Sequence, residues 1–139
     1  DTVNLAARCE SGAKSYGVYT MVTDETRSMV TEHTSDLVFR TLDRIVVKGR
    51  SQPVTVFEIL GFQDQVTRAR KECIALFEEG LVAYWNQHWD EAIRLFTASE
   101  AGEEHPDLNP SMIMLARAKV LKFSPPDAGW DGVYVMRSK

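Results

Sequence analysis

Apolar positions along this chain change their period once. Up to residue 62 they read as a mixture of helix and strand, and beyond it they read as helix. Over residues 2–16, Leu5, Cys9 and Tyr16 recur on one side, with Ala6, Ala7 and Ala13 permitting close packing, which predicts a helix. Asp1 or Thr2 is placed to cap its start, and Gly17 to stop it. "VYTMVT" (18–23) has the β-branched and aromatic content of a buried strand. A short helix over 24–33 follows, with Asp24 as the expected cap. "LVFRTLDRIVV" (37–47) and "VTVFEILGF" (54–62) are strands, and "KGRSQP" between them predicts an antiparallel hairpin.

From residue 64 to 86, Val66, Ala69, Cys73, Leu76, Phe77, Gly80, Leu81 and Tyr84 repeat at helical spacing, and "QHW" ends the run. A second helix is expected over 90–101, capped by Asp90, and a third over 111–123. "SPPDAGWDG" is irregular, and "VYVM" (133–136) has the makings of a short strand. The expected boundary lies near 62–66, giving an α/β part over 1–62 and a helical part over 63–139.

Composition narrows the class. The chain has 139 residues, of which 44% are hydrophobic and 26% charged, enough for a buried core and a wetted surface. A net charge of −4 with dispersed basic residues argues against a nucleic-acid partner. No apolar run approaches the roughly 20 residues of a membrane span, and no signal-peptide pattern is present. Cys9 and Cys73 lack CxxC spacing and read as reduced packing residues of an intracellular protein. His33, His88 and His105 show no metal-ligand spacing. Trp85, Trp89 and Trp130 are read as core residues, with a dimer contact as the alternative.

The candidate chemistry sits at the start. The opening "DTVNLAAR" runs straight into a helical pattern and reads as the sequel to a longer chain. Asn4 and Arg8 are four apart and share one helical face near the expected helix N-terminus, where the dipole and free N–H groups favour anions. Arg offers a planar fork for phosphate oxygens, and Asn a donor and an acceptor for a hydroxyl. On spacing alone, a solvated surface is the commoner meaning of such a pair. Lys48, beside Gly49 in the hairpin turn, reads equally as an exposed turn lysine or as a phosphate contact.

The letters around these residues are more specific. "DTVNLAARCES", "YGVYTMVTDETR" and "FRTLDRIVVKGRSQPVTVFEILG", in that order and spacing, resemble the C-terminal half of a class III adenylate/guanylate cyclase catalytic domain. The remainder, ending in "PPDAGWDGVYVMRSK", resembles the extension that follows this domain in some bacterial adenylate cyclases. The resemblance implies an α+β fold: part of a ferredoxin-like catalytic domain, then a helical extension. It also implies a homodimer with active sites at the interface, and attack of the ribose 3′-hydroxyl on the α-phosphate of ATP with release of pyrophosphate. Asn4 falls where the family orients the ribose, Arg8 where it stabilises charge on the reacting phosphate, and Lys48 where it meets the terminal phosphates. The family's two metal-binding aspartates, for Mg2+ or Mn2+, and its adenine-selecting lysine lie upstream of this motif. The expectation is therefore a cyclase fragment inactive by itself, holding no metal, from a cytoplasmic chain whose parent is anchored to a membrane through other regions.

The helical part, over 73–106, can also be set against a tetratricopeptide (TPR-like) unit. Gly80, Ala92, Phe96 and Ser99 fall at its small, small, large and small positions, and Pro106 is displaced. One unit cannot stack a solenoid, so a packed helical hairpin is expected rather than a peptide-binding array. The alternative to the enzyme is a degenerate cyclase-like module acting in protein–protein interaction and dimerisation.

Overall fold

The computed structural model describes residues 12–47 and 52–136. The protein is α+β, with a four-stranded sheet and helices. The chain divides into two compact units. One contains the sheet and runs to Val66, regaining the chain at Val133; the other is Thr67–Gly132.

In the sheet unit, residues 12–16 are helical. They end on Gly17 at φ 71°, a conformation that glycine adopts without a Cβ penalty. Val18 N–H bonds Ala13 C=O and Gly17 N–H bonds Lys14 C=O, which closes off the last carbonyls of the turn. Strand β1 (Met21–Thr23) is shorter than the 18–23 stretch suggests. Helix α1 (Asp24–His33) is capped by Thr23, whose side chain accepts from Thr26 N–H; the expected cap, Asp24, lies inside the first turn. Thr23 wins because it holds the extended backbone that an N-cap needs.

Strands β2 (Leu37–Val47) and β3 (Val54–Phe62) form the expected antiparallel hairpin, with Ile45 opposite Val54 and Leu37 opposite Phe62. The sheet order is β1-β3-β2-β4, where β4 (Val133–Met136) lies parallel to β2.

Register explains the burial. Thr41 faces Phe57 and Asp43 faces Val56, so Leu42 is an extra residue on β2. This bulge shifts the alternation by one place. Arg40, Asp43 and Ile45 therefore share a face with Glu58, Val56 and Val54, and β1 adds Met21 and Thr23 to it. That face carries the core: Leu42, Val56, Ile45 and Asp43 are all at most 1% exposed. Phe39, Thr41 and Arg44 take the other face and are half-buried. There the Arg27 guanidinium of α1 lies over two rings, 5.0 Å from Phe39 and 4.6 Å from Phe57, a cation–π contact that tethers an otherwise exposed helix.

In the helical unit, a 3-10 turn (Gln63–Gln65) precedes α2 (Arg68–Trp85), which starts later than periodicity predicts because Thr67 caps it through Arg70 N–H. Helix α2 ends on Gln87 at φ 60°, with His88 N–H on Ala83 C=O and Gln87 N–H on Tyr84 C=O. Here Gln87 takes the left-handed place that Gly17 takes earlier. Helix α3 (Trp89–Glu100) begins at His88 with no side-chain cap; Asp90, the expected cap, sits in its first turn. Helix α4 (Pro110–Phe123) is capped by Asn109, with proline in its first turn.

Two glycines let these helices meet. A Cβ on Gly80 would lie 2.7 Å from the Phe96 ring, and one on Gly102 would lie 2.9 Å from Cys73 Cβ. Cys73 is buried, and its thiol donates to Ser99 C=O. The turn into α4 is held by Glu103, which accepts from Ser111 Oγ at 2.6 Å and pairs with Arg70 at 3.4 Å. Trp130 returns to the α2–α3 corner, 5.3 Å from the Tyr84 ring and 5.9 Å from that of Trp89.

Candidate functional site

Asn4, Arg8 and Lys48 lie outside the described residues. The structure describes the elements next to them in sequence: the helical turn 12–16, and the two hairpin strands on either side of residues 48–51.

A buried polar contact ties the turn to β2. Tyr16, 2% exposed, donates its phenol O–H to Asp43 Oδ2 at 2.5 Å. Asp43, fully buried, accepts Arg44 N–H on Oδ1 at 2.8 Å. An ionised carboxylate inside a core must be satisfied by such donors, because leaving it unpaired costs several kcal/mol. One strand turn away, Arg40 reaches across to its register partner Glu58, with Nε at 2.8 Å and Nη2 at 2.7 Å from the same oxygen. Arg40 is 1% exposed and the Glu58 side chain 12%. Two charged side chains of β2 thus project into the enclosed face, each meeting an oppositely polar partner.

Sequence reading missed both Arg40 and Asp43. Uninterrupted alternation puts them on opposite faces, and the bulge at Leu42 brings them to one. The available signal was the density of polar residues (Arg40, Thr41, Asp43, Arg44) within an apolar strand.

These carboxylates do not make a metal centre. Asp43 and Glu58 are engaged by Tyr16, Arg44 and Arg40, and among the described residues no three His, Cys, Asp or Glu side chains are grouped to hold an ion. Two shallow depressions lie elsewhere. One is formed on α1 by Arg27, Ser28, Thr31 and Glu32. The other lies at the α2–α3 corner, between Gln87, Trp89, Asp90 and Lys122, where Lys122 Nζ bonds Asp90 at 2.5 Å. On α3 the Glu91 carboxyl is held below its ordinary pKa, first by its hydrogen bond from Arg94, whose own pKa is raised by the same contact. No helix among the described residues is long and apolar enough to cross a membrane.

Comparison with known proteins points in one direction. The chain is 27% identical over 118 residues to the terminal-differentiation specific adenylate cyclase of Dictyostelium discoideum, a match covering 84% of this chain and 6% of that protein. It therefore spans a small part of its relative. A match of that length exceeds the stretch up to Val66, so it continues into the helical unit. The chain is similar to a region of an adenylate cyclase. No family model and no solved structure matches it.

Proposed function

We propose that this chain is the C-terminal part of a class III nucleotide cyclase catalytic domain with a helical, TPR-like extension, and that its parent converts ATP to cyclic AMP and pyrophosphate. The observation that carries this reading is the likeness to an adenylate cyclase across both units. The letters around "DTVNLAAR" and "VVKGRSQPVTVFEI" supply the roles. Asn4 orients the ribose, Arg8 stabilises charge on the α-phosphate as the 3′-oxygen attacks, and Lys48 meets the terminal phosphates. Phosphoryl-type transfer depends chiefly on positioning and charge neutralisation, which suits an amide and two cations.

In the family that this chain resembles, the ligands for Mg2+ or Mn2+ lie upstream of the matched motif, and on that ground the metal belongs in the parent. The working unit is a homodimer on the cytoplasmic side, and this chain alone is inactive.

The test is a longer chain that includes the preceding part of the parent, assayed for cyclic AMP with Mg2+ or Mn2+. Arg8→Ala is expected to lower turnover about a hundredfold, as removal of a single transition-state donor does elsewhere. A change within about twofold overturns the role of Arg8. No cyclic AMP from a folded, dimeric longer chain would instead favour a degenerate module that acts through protein–protein contacts.

A further inference from the structure

Helix α4 is apolar on two sides. One side holds it in the helical unit: Pro110, Ser111, Met114 and Ala118 are buried, and Asn109 and Glu103 fix its first turn. The other side faces outward. There Ile113, Ala116, Val120 and Phe123 recur three and four apart, which lines them up along a single stripe. Val120 is 65% exposed and Phe123 93%, while Ala116 is exposed and Ile113 half-buried. Packing within the unit uses only the first side, yet a helix apolar on both is the kind that proteins enclose. The spacing is that of a coiled-coil seam, with Ala116 as the small member that lets another backbone come close.

The charges beside the stripe select what can lie on it. Helix α4 contains no Asp or Glu, and its cations are Arg117, Lys119 and Lys122. Arg117 and Lys119 border the stripe, one on each side, at the places where paired helices carry their matching charges. Lys122 lies farther round and bonds Asp90. A second copy laid antiparallel along the stripe would set Arg117 against Arg117 and Lys119 against Lys119. A parallel copy would give neither an opposite charge across the seam. A flat anionic bilayer would meet the whole chain, whose net charge is −4. A lone helix meets only the stripe and its borders, and there carboxylates are the complement.

We propose that this face of α4 is a docking surface for a helix of another protein. That helix is amphipathic: its apolar residues interleave with Ile113, Ala116, Val120 and Phe123, and its flanking carboxylates meet Arg117 and Lys119. The docking surface belongs to α4 alone and does not depend on the cyclase reading.

A designed helical peptide tests it, with leucine along its seam and glutamate at the flanking places; a control peptide of the same length carries lysine there instead. Titrated calorimetrically into the full chain, the acidic peptide is expected to bind at least about tenfold more tightly than the basic one, with the preference shrinking as salt rises. Phe123→Ser is expected to weaken the acidic peptide by about tenfold, and Lys119→Glu to narrow the preference between the two peptides by about tenfold. Both side chains are exposed, so both variants should melt with the parent; if Phe123→Ser does not, Val120→Ser is read by the same criteria. Equal affinity for the two peptides, or no measurable binding of the acidic one, overturns the proposal. So does self-association in sedimentation that Phe123→Ser abolishes, which would assign the face to a second copy. Binding to phosphatidylserine-containing vesicles that Phe123→Ser abolishes would likewise overturn it and assign the face to a membrane.

Discussion

Gly80 and Phe96 are in contact so close that a single methyl group cannot be inserted between the helices that carry them: the added carbon would sit 2.7 Å from the ring edge. Phe96 is fully buried and cannot swing aside, since Phe77 and Tyr84 stand 5.4 and 6.4 Å from its centroid. Gly80→Ala gains up to about 1 kcal/mol of helix propensity and loses about 1–3 kcal/mol to overpacking. A net fall in the urea midpoint is expected, with recovery when Phe96→Leu is added. A variant as stable as the parent would show that the crossing can relax.

Arg40 and Glu58 form an ion pair with one member enclosed. Glu58→Gln removes the carboxylate that the guanidinium holds and is expected to cost about 3 kcal/mol, whereas Arg40→Met together with Glu58→Leu should recover most of it, because apolar replacement of a buried pair is often neutral. Chemical denaturation of the two variants side by side decides this.

The Tyr16 hydroxyl is expected to matter more than its size suggests. Tyr16→Phe keeps the ring and deletes only the donor to Asp43. Hydrogen bonds to charged groups are worth about 1.5–3 kcal/mol, so a loss of that order is expected, with faster exchange over residues 12–16. An unchanged melting curve would mean that water or another donor replaces the phenol.

Glu91 supplies a pH prediction. Its folded pKa is depressed, chiefly by the Arg94 hydrogen bond. Any stability it contributes is therefore present above its unfolded pKa and fades as pH falls through the folded value. Both side chains are solvent-exposed, so the effect on folding is small and weakened by salt. An NMR carboxyl titration should place the Glu91 midpoint below the ordinary glutamate value, and Arg94→Ala should return it there.

Local signals were legible and distant ones were not. The hairpin strands 37–47 and 54–62 can be read from alternation and a Gly/Pro turn, and the structure has them at those bounds. Asp24 and Asp90 mislead as caps because composition does not tell which residue keeps extended backbone: Thr23 does in one case, and in the other the helix starts with no side-chain cap at all. The buried pairs of Arg40 and Asp43 depend on a one-residue bulge that leaves the composition of β2 unchanged. The partner of 133–136 is β2, which lies beyond three intervening helices, and nothing local announces it. The candidate residues Asn4, Arg8 and Lys48 were legible only through resemblance.

Because β4 completes the sheet from beyond the helical unit, the two units cannot mature in simple order during synthesis. The hairpin and β1 leave the ribosome before the helical unit, yet the flank of β2 that β4 covers waits until the whole of Thr67–Gly132 has been made. Long-range parallel pairing is slow to form, and an unpaired apolar flank invites mispairing meanwhile. A nascent chain stalled before Val133 should therefore be the form most in need of a chaperone.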